Sequence, residues 1–130
     1  MSKIPRPTDA ELALLRVLWD HGPSTVRQIH EVVSVERPTG YTTVLKLLQI
    51  MTEKGLVERD ERARTHVYRA RLSAAETQRQ LVGHLVDRAF GGSAAALVMQ
   101  ALAARRASPE ELAEIRRLLD AQKEKPDARD

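Results

Sequence analysis

The run Tyr41-Thr42-Thr43 lies in the stretch PTGYTTVLKLL, which opens a candidate helix, with Lys46 and Gln49 following at helical spacing. Threonine is a mediocre helix former and aromatics are only 3% of the chain, so propensity does not explain these residues at a helix start. Threonine hydroxyls can bond phosphates or base edges, and their methyls can meet the thymine methyl. Gln49 can pair with adenine, and Lys46 can reach guanine or phosphate. Further on, the segment RDERARTHVYRAR sets five arginines against Asp60 and Glu61. Arg62 and Arg64 at its tip suit phosphates or a minor groove. The chemistry on offer is nucleic-acid recognition.

Bond-breaking chemistry has little support. Cysteine is absent, which removes disulfides, thiolate nucleophiles and Cys-based metal sites and fits a reducing cytoplasm. The four histidines, His21, His30, His66 and His84, include no pair at i, i+4, and no HExxH or carboxylate cluster accompanies them. There is no nucleophile elbow and no Gly-rich phosphate loop. The expectation is a chain that is not an enzyme and carries no metal, cofactor or catalytic residue.

At 130 residues, with 42% hydrophobic and 30% charged side chains, the composition is globular. No apolar run approaches a membrane span, and the start MSKIPRPTDAE has no secretory h-region. The net charge of +3 resides in residues 1–72, while residues 73–130 are neutral. An anion is therefore attracted to the first half.

Capping boxes predict the elements that position these residues. Thr8…Glu11, Thr25…Gln28, Ser73…Glu76 and Ser108…Glu111 each precede an apolar-periodic run, and Pro109 is suited to a first helical position. The spacing predicts helices over about 9–21, 26–35, 40–54, 74–90, 94–104 and 109–122. Thr39 is expected to cap the third, and Gly55 to end it. Two short strands, 56–60 and 66–71, make a hairpin across 61–65. A residue or two of edge strand at 23–25 can precede the second helix. The tail at 126–130 is expected to be disordered.

Three helices followed by a basic hairpin is the layout of a winged helix-turn-helix, in which the third helix enters the major groove. The fold expected is mostly α, with a two- or three-stranded wing sheet in a DNA-binding domain at 1–72. A C-terminal helical dimerisation region follows at 73–125. With Val44, Leu47, Leu48 and Met51 inward, the outward positions are Tyr41, Thr42, Leu45, Lys46 and Gln49, with Thr43 flanking. An outward Leu45 is easier to justify against a thymine methyl than in water.

Tyr41 equally suits a lid over the turn, its ring on the second helix and its hydroxyl on a phosphate. Arg69 and Arg71 suit pairing with Glu58 or Asp60 across the hairpin as well as they suit DNA. Trp19 and Phe90 lie on apolar faces and are expected in the core. Leu81, Val82, Leu85, Val86 and Phe90, with Leu97, Leu102, Leu112, Ile115 and Leu119, form apolar faces that two small helices cannot cover. Burial against a second copy accounts for them; folding back on the first half is the alternative.

The segments TDAELALLRVLW, TVRQIHEVV, YTTVLKLLQIMTEKGLV and RTHVYRARLS, with GGSAAALV and SPEELAEIRRLL, resemble the BlaI/MecI/CopY family of bacterial repressors. The resemblance covers nearly the whole chain. It implies a homodimer that binds an inverted-repeat operator on double-stranded DNA and blocks transcription, in many members of an antibiotic-resistance gene. It also implies a possible partner, a membrane-bound zinc metalloprotease sensor that relieves repression by cleavage, with no membrane insertion of the repressor itself. Two positions depart from the family pattern. Gln100-Ala101 stands where cleaved relatives have Asn-Phe, and Ile50 stands where many have arginine. The C-terminal Cys cluster of the copper-responsive branch is missing.

Two other readings remain. A small-molecule-responsive regulator of the MarR type usually has dimerisation helices on both sides of its winged module, but here the module starts by Thr8. A winged-helix protein-interaction module would leave the arginines of the hairpin without a purpose. Single-stranded RNA binding would need more exposed aromatics than Trp19, Tyr41, Tyr68 and Phe90 provide.

Overall fold

Among the described residues, side-chain hydroxyls cap five of the six helices: Ser93 accepts from the Ala96 amide at 3.0 Å, and four others stand in capping boxes. Thr8, Thr25, Ser73 and Ser108 each accept a hydrogen bond from the amide three residues on, at 3.0–3.2 Å. Glu11, Gln28, Glu76 and Glu111 each reach back to accept the amide of the capping residue, at 2.8–3.0 Å. Two otherwise unpaired donors are thereby satisfied at each start. The computed structural model describes residues 4–62 and 64–124; the tail expected at 126–130 lies outside them.

The element order is α1 (Asp9–His21), β1 (Ser24–Thr25), α2 (Val26–Glu36), α3 (Tyr41–Lys54), β2 (Val57–Asp60), β3 (Val67–Ala70), α4 (Ala74–Ala89), α5 (Ala94–Ala104) and α6 (Pro109–Glu124). The fold is mostly α with a three-stranded antiparallel sheet in the order β1-β3-β2. Ser24 lies opposite Tyr68, and Glu58 opposite Arg69. This is a winged helix-turn-helix, with the edge strand present as β1. Two compact units divide the chain after His84, inside α4.

The first unit has one core. Leu14, Leu15 and Leu18 of α1 meet Ile29 of α2, Val44, Leu48 and Met51 of α3, and Tyr68 of β3, all buried. Val17 widens the buried face of α1 beside Leu14, Leu15 and Leu18, because α1 packs on α2, α3 and the sheet together. Trp19 is half-buried against this core and donates its indole N–H to the Leu72 carbonyl at 3.0 Å. Gln80 of α4 donates to the Ile4 carbonyl, so the first turns of α4 belong to this unit.

One buried charge locks the helical layer. Glu11 is 2% exposed and accepts from Lys54 Nζ at 2.8 Å, joining the start of α1 to the end of α3. A carboxylate so placed is tolerated only when paired. Burial pushes its pKa up, but the bonds from Lys54 and Thr8 outweigh burial and hold it below the ordinary glutamate value. Lys54 sits in the last turn of α3, where a cation complements the helix dipole. Gly55 ends the helix at φ 83°, a left-handed conformation that a side chain would strain.

In the second unit, α4 ends at the Gly91-Gly92 pair, where the Gly92 amide donates to Val86 at 2.8 Å. Neither α5 nor α6 has a buried residue. Met99 is 64% exposed and Leu118 60%; Val98, Leu102, Leu112 and Leu119 are also exposed. Phe90, expected in the core, is only half-buried and lies outside the core cluster. Helices this short and rich in alanine enclose too little volume to cover it.

Candidate nucleic-acid interface

The direction of α3 is set from its inner side. Val44, Leu48 and Met51 are fully buried at i, i+4 and i+7, which turns Tyr41, Thr42, Thr43, Lys46, Gln49 and Ile50 to the exposed side. Among the described residues the side chains of Thr42, Thr43, Lys46 and Gln49 make no hydrogen bond or ion pair. Their donors and acceptors are open along one helix face. Leu45, expected to face outward, is instead half-buried and packs against the core. The apolar stripe is wider than a simple 3.6 period suggests because α3 touches α1, α2 and β2 at once.

The start of α3 also differs from expectation. Gly40, not Thr39, is the N-cap, and no side chain caps the helix. The Thr39 hydroxyl donates back to the Arg37 carbonyl at 2.9 Å. The Thr39 carbonyl accepts from His30 Nε2 at 2.7 Å and from Ser34 Oγ at 3.3 Å. Tyr41 is 48% exposed, and its ring stands edge-on to His30, with centroids 5.7 Å apart at 73°. It lies on α2 while one side stays open, as its lid reading required.

The wing is less cationic than its arginine content suggests. Arg62 is tied to Asp60 by its own amide at 2.9 Å and by its guanidinium at 2.8 Å. These bonds hold the Asp60 carboxyl down to about 2. Arg59 pairs with Glu61 at 3.0 Å and Arg69 with Glu58 at 2.9 Å, the latter directly across the hairpin. Arg64 is exposed and, among the described residues, has no such partner. The unneutralised charge of the wing thus falls on Arg64 and Arg71. A groove on the wing is lined by Pro23, Val67 and the paired charges.

Sequence reasoning placed Thr42, Thr43, Lys46, Gln49 and Arg64 where they are open. Arg62, expected at a phosphate or in a minor groove, is paired with Asp60, and His30 was not assigned to this region. The signal for His30 was its spacing of four from Ser34, which puts both on one face of α2.

Comparison with known proteins adds relatives at two scales. The transcriptional regulator BlaI of Mycobacterium tuberculosis is 42% identical over 69 residues, 52% of this chain, and that match spans 50% of the regulator's own length. The penicillinase repressor of Bacillus licheniformis is 24% identical over 123 residues, 95% of this chain and 96% of that protein. A solution structure of Bacillus licheniformis BlaI, in monomeric form in complex with the blaP half-operator, matches with a TM-score of 0.50 at 25% identity. It covers 58% of this chain and 93% of that one. Residues 7–121, from the start of α1 almost to the end of α6, match the penicillinase repressor family, and the chain belongs to that family of transcriptional repressors.

Proposed function

We propose that this chain is a DNA-binding transcriptional repressor that acts as a homodimer on an inverted-repeat operator. The observation that carries this reading is the open polar face of α3. Thr42, Thr43, Lys46 and Gln49 are exposed and uncommitted on the helix that a winged helix-turn-helix lays in the major groove. Tyr41 and the unpaired Arg64 flank that face and suit phosphates. The half-operator complex of the Bacillus licheniformis relative supports binding to operator DNA. Leu45, half-buried against the core, is left out of this reading.

Residues 73–125 supply the dimer. Val82, Leu85, Leu102, Leu112 and Leu119 are exposed, and Leu81, Val86, Phe90, Leu97 and Ile115 are half-buried. Apolar surface is stabilised by about 25 cal/mol per Å² when removed from water, and a second copy offers complementary faces. Two recognition helices then reach successive major grooves about 34 Å apart. Repression works by mass action in the cytoplasm, without catalysis. Among the described residues no helix is long and apolar enough to cross a membrane. The resemblance also implies relief by a membrane-bound metalloprotease sensor; Gln100 and Ala101 of α5 are exposed but replace the Asn-Phe of cleaved relatives, so a cut at that bond is not part of the proposal.

The test is fluorescence anisotropy of the full chain on a duplex from upstream of its own gene, against a scrambled duplex at two salt concentrations. The expected result is tight, salt-sensitive binding to the first that survives competition by the second. Equal weak binding to both would favour a protein partner for the winged unit.

A further inference from the structure

The turn between α2 and α3 is held from α2 by His30, with Ser34 on the same carbonyl oxygen. Gly40 caps α3 at φ −69°, an ordinary conformation, and no side chain bonds the free amides of the first turn. The usual devices that fix a helix start are therefore missing. In their place His30 Nε2 reaches the Thr39 carbonyl at 2.7 Å, and Ser34 Oγ reaches the same oxygen at 3.3 Å. The same ring meets Tyr41, the first residue of α3, in a T-shaped contact. A single side chain of α2 thus touches the backbone just before α3 and the aromatic that opens it.

A carbonyl oxygen can only accept, so the Nε2 atom carries a proton. That nitrogen is committed and the ring is half-buried, which leaves His30 poorly placed to touch a duplex itself. We infer that His30 is a positioning residue for base recognition. By holding the Thr39 carbonyl and the Tyr41 ring, it fixes the angle at which the first turn of α3 presents Tyr41, Thr42 and Thr43. Base-edge hydrogen bonds weaken steeply with misalignment, whereas phosphate attraction tolerates it. Loss of His30 therefore reduces discrimination between sequences more than it reduces total affinity. This inference rests on the proposed DNA-binding function.

The experiment uses the full chain and the duplex it enriches most strongly from a random-sequence library, with a scrambled duplex as control. His30→Phe keeps a ring against Tyr41 and removes the donor; His30→Gln keeps an N–H donor at similar reach and removes the ring. Expected is a roughly tenfold fall in the selected-to-scrambled affinity ratio for His30→Phe, the scale of one lost hydrogen bond, with scrambled affinity unchanged. His30→Gln should restore most of that ratio. An unchanged ratio in His30→Phe, or equal loss in both variants, overturns the inference while leaving DNA binding intact. Failure of the unsubstituted chain to enrich any duplex overturns both. Imidazole ¹⁵N shifts of the unsubstituted protein provide a check that needs no variant. An Nε2–H tautomer is expected, and a neutral ring protonated on Nδ1 alone contradicts the geometry.

Discussion

Asp60 and Arg62 form a closed pair two residues apart, in which the carboxylate accepts from both the amide and the guanidinium of Arg62. The wing thus carries its own counter-charge beside one of its two tip arginines. To bind DNA, Arg62 must leave Asp60 or bring its negative charge along. Either way the pair limits the sequence-independent part of affinity. Exposed pairs of this kind are weak, so the restraint is a bias and not a lock.

Asp60→Asn should therefore strengthen binding to scrambled DNA and lower the ratio of operator to scrambled affinity. Arg64→Ala should reduce the slope of log K against log salt by about 1, as for one lost phosphate contact. Arg62→Ala should have a smaller effect than Arg64→Ala in the original chain and an equal one in the Asp60→Asn background. Salt titrations of the original chain, the three single variants and the two double variants on both duplexes read all of these outcomes. Equal slopes for Arg62→Ala and Arg64→Ala in the original chain would show that Asp60 has no influence.

Thr43 and Lys46 lie on the open face of α3 and carry no structural bond among the described residues. Thr43→Ala and Lys46→Ala should leave thermal stability within about 0.5 kcal/mol. Each should cost about 1–3 kcal/mol of discrimination at the base it reads. A panel of single-base operator variants identifies that base. Uniform loss on every sequence would assign both residues to the phosphates.

Most of the architecture was legible because its signals are local. The four capping boxes span four residues each, and the hydroxyl and the Glu or Gln side chain reach each other's backbone amides whatever the rest of the chain does. Gly55 and the Gly91-Gly92 pair likewise end helices by their own backbone freedom. The interface was less legible. Leu45 was misplaced because the width of the buried stripe depends on how many neighbours α3 has, which periodicity does not report. The pairing of Arg62 was not legible because a solvated charge run and a self-paired one have the same composition. His30 was missed because its partner Thr39 lies across a turn whose path is not local information. Thr39 itself looked like a cap, and Gly40 took that place once the carbonyl of Thr39 was drawn toward α2.

Leu85 is 47% exposed and opens the second unit. Leu85→Asp should not unfold the winged unit, since the residue is outside its core. It should convert a dimer into a monomer by sedimentation and weaken operator binding by orders of magnitude, because each half-site then binds alone. Tight operator binding by a monomeric Leu85→Asp protein would remove dimerisation from the mechanism.

The Glu11–Lys54 pair gives stability a pH dependence with a definite sign. Its folded pKa lies below its ordinary value, so the folded state favours the ionised form. The stabilisation is complete above the ordinary glutamate value and is lost as pH falls through the lower folded one. Lys54 remains about a third exposed, so solvent screens part of the attraction. Glu11→Gln retains the acceptor for the Thr8 amide but not the charge, and it should cost about 1–3 kcal/mol at pH 7. Urea unfolding of both proteins at a series of pH values should show the difference narrowing below the ordinary glutamate value and nearly vanishing once Glu11 is protonated in both states. A difference independent of pH would mean that the carboxylate stabilises the fold by its shape and hydrogen bonds alone. Lys54 would then be a bystander at the end of α3.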